Sequence, residues 1–313
     1  MISRAEFEAY LNTINTGEFE ERMKRQEDKG KIFSICWYTL FVVVALITTV
    51  LVVNHMYWAF ALLPVCILAL SLGLAGKSIF TGKVFSDFDA KYRDQFMAKL
   101  LEGYNYKYSR NHYISELVYS KLGFTSTGDD YDGQDLLEIE IPNKEGEPSG
   151  SWLRICDLHI TETHIYTDSD GNTHTETTTL YSGAFGYVLF KEEFKCALGL
   201  DARPNVKDLK RIKLEDIEFN KQFYLHSTDQ LEALRILTPD MMQKLLKLNQ
   251  KARHLAVMLQ GNAMSLGFSK NLFEPTRKGK KTLAEMYLPL YDDISILVKI
   301  VEEISRNKKV FKL

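Results

Sequence analysis

IFSICWYTLFVVVALITTVLVVNHMYWAFALLPVCILALSLGLAG, from Ile32 to Gly76, is 45 residues without one Asp, Glu, Lys or Arg. The whole chain is 26% charged, so a run of this length is no fluctuation in the composition of a soluble core. Asn54, His55 and Met56 divide it into Ile32 to Val53 and Tyr57 to Ala75. Each half is close to the roughly twenty residues that a helix needs to cross a hydrocarbon layer about 30 Å thick. The run therefore reads as a transmembrane helical hairpin. Tyr57 and Trp58 follow the turn, where amphipathic rings favour the headgroup layer, and Pro64 bends the second span without ending it.

Working outward, Lys29 and Lys31 precede the first span, Lys77 and Lys83 follow the second, and the turn has no Lys or Arg. The positive-inside rule then puts both long flanks, and so both termini, in the cytoplasm. Thirty-one residues precede the run, which is too long for the h-region of a cleaved signal peptide, so a permanent anchor is expected. A three-residue turn cannot supply an ion filter, so a two-span channel stands only as a minor alternative.

The flanks carry the organisation expected of an α+β protein: residues 1–31 as a cytoplasmic amphipathic helix, 32–76 as the hairpin, 77–122 as a stalk helix with connecting elements, and 123–313 as a cytoplasmic domain of antiparallel sheet and packed helices. Phe7, Tyr10, Leu11 and Ile14 share one helical face, behind a capping box of Ser3 and Glu6. Ser86 with Asp89 looks like a second helix start, with Phe88, Tyr92, Phe96 and Leu100 on one face and Gly103 as the stop. From Leu136 the apolar period becomes two, giving strands over 136–141, 152–166, 174–189 and near 223–225. Ser227 with Gln230, and Thr238 with Pro239, mark helix starts. Residues 254–259 and 263–268 form a hairpin, and Leu290, Ile294, Leu297, Val301 and Ile304 stripe a last helix. Strands followed by helices favour α+β over a parallel sheet.

Thirty-nine basic against 41 acidic residues give no general pull toward nucleic acid, and no nucleic-acid partner is expected. Tyr104, Tyr106 and Tyr108 beside Lys107 and Arg110 could stack bases, but the sparse charge fits the aromatic face of a short strand better. Cys36, Cys66, Cys156 and Cys196 have no metal spacing and read as free buried thiols.

His159, His164, His174, Asp168 and Asp170 are the first place to look for a metal. A two-residue turn at Asp170 and Gly171 sets His174 opposite Thr167 and leaves His159 roughly 26 Å from it at about 3.3 Å per residue, too far to share an ion. A one-residue slip would instead bring His164 and His174 to one face, where zinc becomes conceivable. Asp168, Asp170 and Asn172 imitate a calcium loop, but Gly171 falls two positions early. Asp129, Asp130, Asp132 and Asp135 form an acidic cluster that reads as a polar loop entering a strand. No metal site, cofactor or catalytic residue is assigned, since the serine-hydrolase, zinc-protease and nucleotide motifs are absent. Arg277, Lys278, Lys280 and Lys281 are the candidate anionic-lipid contact, worth about 1 kcal/mol each near a charged leaflet.

One phrase, FNKQFYLHSTDQLEALRILTP at Phe219 to Pro239, resembles the signature of an uncharacterised bacterial family of membrane-anchored proteins. YDGQDLLEIEI at Tyr131, YSGAFGYVLF at Tyr181 and NLFEP at Asn271 appear in the same order. Leu137 and Glu138, and Ala184 to Tyr187, depart from the family pattern. The resemblance implies two spans in a bacterial inner membrane and a cytoplasmic α+β domain of unknown function; it implies no reaction. A membrane-tethered binding or scaffold module with a protein partner is the expectation, and a membrane-anchored hydrolase or metal-dependent enzyme is the competing one.

Overall fold

Two long helices, α2 (Gly17–Val53) and α3 (Leu63–Leu100), take up the uncharged run; at 1.5 Å per residue each is about 55 Å long. The computed structural model describes residues 1–14, 16–53, 62–142, 148–168, 171–252, 254–275 and 282–312. Two compact units result, one of Asn12–Ala98 and one of Met1–Leu11 with Lys99–Leu313.

In the helical unit, Phe19 meets Phe88 at 4.2 Å between ring centroids and Phe33 meets Phe80 at 5.4 Å. Arg22 reaches Asp87 at 3.5 Å, and a Cβ on Gly73 would touch the Tyr38 ring at 3.0 Å. These pairs run in opposite directions along the two helices, so α2 and α3 form an antiparallel hairpin. Ile32, Ile35, Leu46, Val50, Ile67 and Leu74 stay exposed on its surface. By length and composition both helices could cross a membrane. The turn at Asn54 to Met56, with Tyr57 and Trp58, lies outside the described residues.

The capping pattern at Ser86 and Asp89 does not start a helix. α3 runs through both, because the Asp89 carboxylate is taken by Arg93 one turn later, at 3.0 and 2.7 Å, and no backbone donors are free there. Gly103 does stop the chain, with φ +86.

The second unit follows α1 (Arg4–Thr13) with β1 (Tyr106–Ser109), α4 (Glu116–Leu122), β2 (Asp130–Pro142), β3 (Pro148–Thr167), β4 (Thr173–Leu189), β5 (Leu198–Leu200) and β6 (Lys210–Ile212). It continues through α5 (Ile217–Gln222), β7 (Leu225–Ser227), α6 (Gln230–Ile236), α7 (Pro239–Ala252), β8 (Leu255–Gln260), β9 (Ala263–Phe268) and α8 (Leu283–Arg306). The strands make one sheet in the order β1-β2-β3-β4-β9-β8-β5-β7-β6, and every neighbouring pair is antiparallel. The α+β reading holds.

Register lines up one residue per strand across this sheet: Lys107, Glu138, Arg154, Tyr187, Ser265, Met258, Gly199, His226 and Arg211. Since side chains alternate between faces, this row marks one face. Positions one residue away, such as Leu137, Ile155, Val188, Leu266, Val257 and Leu198, mark the other and are buried. α7 and α8 cover that apolar face. α8 begins with a capping box of Thr282 and Glu285, and α1 lies on α8 through Phe7 stacked on Tyr291 at 5.6 Å. The Ser3 and Glu6 capping box forms as expected, at 2.7 and 3.2 Å.

Over the polar row, α4 covers only the middle. Tyr119 packs edge-on against Phe185 at 4.8 Å, with Cys156, Leu158 and Ile160 beneath. Nearby, Gly183 has φ +149, and a Cβ there would lie 1.9 Å from the Phe268 carbonyl oxygen. The Tyr181 hydroxyl donates to Ala184 O at 2.6 Å and accepts the Phe268 N–H at 3.1 Å, which closes β4 onto β9. Gly183→Ala is expected to cost about 2 kcal/mol or more, from strain plus the forced spreading of these strands. An unchanged denaturation midpoint would show that the strands part without cost.

Ser227 is not a helix cap. It is held in β7, so Asp229 caps α6 instead, accepting from Leu231 N at 2.8 Å and Glu232 N at 3.0 Å. Thr238 does cap α7, accepting from Met241 N at 3.1 Å.

Candidate functional site

At the end of the sheet, β7 turns Leu225 and Ser227 into the core and leaves Tyr224 and His226 on the polar face that α4 does not reach. Arg211 of β6 stands directly across from His226, and its guanidinium lies over the Tyr224 ring at 4.6 Å. Gly199 of β5 is the other neighbour of His226. It must be glycine, because the chain folds straight back and a Cβ would meet Ala202 O at 2.2 Å. The fold-back carries Arg203 to the rim.

Asp201 fixes this loop. Its N–H donates to Tyr224 O at 3.0 Å, and its Oδ1 accepts the Tyr224 N–H at 2.8 Å. The cost is a left-handed backbone at Asp201, φ +48. Asp201 Oδ2 also lies 4.0 Å from His254 Nδ1. Phe124, just past α4, and Met258 of β8 complete a cleft of about 730 Å³. That is a normal size for a small-molecule site.

Its charge is positive. Among the described residues, neither Arg203 nor Arg211 has a carboxylate at ion-pair distance. Burial, then repulsion from Arg203 and Arg211, holds the His226 imidazole below its ordinary value, with Asp201 opposing. This favours the neutral imidazole. Its Nδ1 is shielded from solvent and has no hydrogen-bond partner among the described residues. The lining includes no serine, threonine or cysteine among the described residues.

The other candidates resolve differently. Arg277, Lys278, Lys280 and Lys281 lie outside the described residues. The acidic cluster is dispersed among structural bonds: Asp129 accepts Thr163 N at 2.9 Å, Asp132 accepts Gly133 N at 2.8 Å, and Asp135 accepts the Tyr108 hydroxyl.

In the threonine-rich hairpin the register is the slipped one, with Tyr166 opposite His174 and His164 opposite Glu176. Asp168 and Asn172 close the connection between Thr167 and Thr173 by backbone and side-chain bonds. An irregularity between Ile160 and Thr161 absorbs the offset. His164 and His174 thus share a face, but His164 pairs with Glu162 at 3.3 Å and His174 with Asp168 at 2.7 Å. Among the described residues no three His, Cys, Asp or Glu side chains are placed to hold a metal.

Cys36 is exposed on α2, contrary to the buried reading, whereas Cys66, Cys156 and Cys196 are buried. Burial pushes the Cys156 thiol up to about 12, which leaves it un-ionised and unreactive at neutral pH.

The cleft is built almost wholly from β5 to β8, the stretch that holds the quoted FNKQFYLHS phrase. Residues 165–306 match DUF3137, a family described as protein of unknown function. The resemblance to an uncharacterised family therefore stands, and the DUF3137 span includes every cleft residue named here except Phe124. No curated protein matches the chain. A crystal structure of the mycobacterial trehalose monomycolate transport factor A, TtfA, is similar at 11% identity over 67% of this chain and 92% of that one, with a TM-score of 0.36. At that score neither fold nor function is carried across.

Proposed function

We propose that the protein is a membrane-tethered binding module: α2 and α3 anchor it in a bacterial inner membrane with both termini cytoplasmic, and the sheet unit binds a partner without catalysing a reaction. The observation that carries this reading is the exposed apolar surface of the paired helices, from Ile32 and Ile35 to Leu46 and Val50 on α2 and from Ile67 to Leu74 on α3. Water would penalise each of these side chains, and a bilayer removes that penalty. The cleft, where Tyr224, Phe124 and Met258 stand beside Arg203 and Arg211, supports the binding part of this reading. Arg277, Lys278, Lys280 and Lys281 extend the same reading to an anionic leaflet.

Alkaline carbonate extraction of membranes from cells making the full chain tests the anchor. The protein is expected to stay with the lipid pellet, and a reporter fused after Leu313 to be active in the cytoplasm. Recovery in the alkaline supernatant would overturn the anchor, and a periplasmic reporter would overturn the orientation.

A further inference from the structure

The cleft gathers positive charge that the fold does not consume. Arg211 lies on the terminal strand β6 and Arg203 on the loop after β5; both are exposed and both act on His226 between them. Like charges at one opening repel, which costs stability unless an anion joins them. Both are also pre-positioned. The Arg203 loop is tied to Tyr224 by one backbone and one side-chain bond of Asp201, and the Arg211 guanidinium already lies over the Tyr224 ring. A planar fork held this way suits the paired oxygens of a phosphate. The space far exceeds one phosphate, and the rest of its wall sets Tyr224, 60% exposed, Phe124 and Met258 beside the polar Asp201, Gln222, His226 and His254.

We propose that the cleft binds a phosphate-bearing small molecule, with Arg203 and Arg211 on the phosphate and Tyr224, Phe124 and Met258 against the body attached to it. This deepens the binding-module reading and rests on it. Two sources share the chemistry, a soluble phosphorylated compound and a phospholipid headgroup.

Calorimetric titration of the full-length protein in detergent micelles with pyrophosphate, ADP and glycerol 1-phosphate tests it. Saturable pyrophosphate binding is expected, weakened about tenfold or more in Arg203→Gln and in Arg211→Gln, the loss of one hydrogen bond to a charged group. Lys207→Gln, an exposed neighbour outside the cleft, should bind as wild type. ADP binding tighter than glycerol 1-phosphate assigns the site to a soluble ligand with a ring; the reverse order assigns it to a headgroup, and either order supports phosphate recognition. No saturable binding of any of the three, or an equal loss in Lys207→Gln, overturns the inference and leaves the tethered module standing. Release of inorganic phosphate from ADP by the purified wild type, lost in Arg203→Gln and Arg211→Gln, would instead overturn the non-catalytic reading and keep the phosphate site.

Discussion

Asp157→Ala is expected to destabilise the sheet unit by about 3–5 kcal/mol, because two hydrogen bonds to a buried carboxylate disappear together. Asp157 is 3% exposed and lies on β3 among apolar neighbours. Its Oδ1 accepts Leu272 N at 2.8 Å and its Oδ2 accepts Phe273 N at 3.1 Å. Both donors belong to the NLFEP segment, which has left the sheet and has no strand to satisfy them. Alanine at 157 strands two buried N–H groups and removes the clamp on residues 271–275. Lys270, bound to the buried Asp293 at 3.0 Å, still holds the start of the segment. Denaturant titration followed by circular dichroism in micelles measures the loss. A change below about 1 kcal/mol would mean that water replaces the carboxylate at that depth.

This clamp also shows what the chain reveals without coordinates. Asp157 interrupts LRICDLHI at a position whose neighbours two residues away, Ile155 and His159, straddle the apolar period. A lone acid inside a strand is a visible signal, and only its partners needed the fold. The hairpin α2–α3 was legible because an absence of charge over 45 residues needs no tertiary information. β3, β4, β8, β9 and residues 136–141 of β2 were legible because each is long enough to display a period, whereas residues 130–135 of β2 read as a polar loop. The register beyond Thr161 was not, since it depends on how Asp168 and Asn172 close a loop.

The cleft was hidden for a related reason. β5, β6 and β7 are three residues each, too short for any pattern to emerge. Phe124, Arg203, Arg211, Tyr224 and His254 come from five separate segments, brought together by the crossed order β8-β5-β7-β6. The one trace in the chain is the alternation Tyr224, Leu225, His226, Ser227, polar-aromatic out and small or apolar in, within a phrase that reads as helix capping. Capping does explain Asp229 and Thr238. It does not explain why an exposed tyrosine and a half-buried histidine precede them.

Arg93→Met is expected to lower the stability of the helical unit by about 3–5 kcal/mol, whereas the double change Asp89→Leu with Arg93→Met should return most of it. The pair is a two-bond bridge one helical turn apart on α3, with the side chains 4% and 6% exposed. Breaking it leaves a carboxylate buried without its guanidinium, and that penalty outweighs the attraction that an exposed pair would offer. Replacing both ions by apolar groups removes the desolvation cost as well as the attraction. Asp89 lies thirteen residues after Gly76, about 20 Å along the helix, so the bridge stands clear of the uncharged run. Thermal unfolding of both variants in micelles separates these contributions. Equal losses in the single and double variants would mean that the bridge supplies net stability of its own, and that α3 depends on the ion pair rather than on the packing of Phe88, Tyr92 and Phe96 around it.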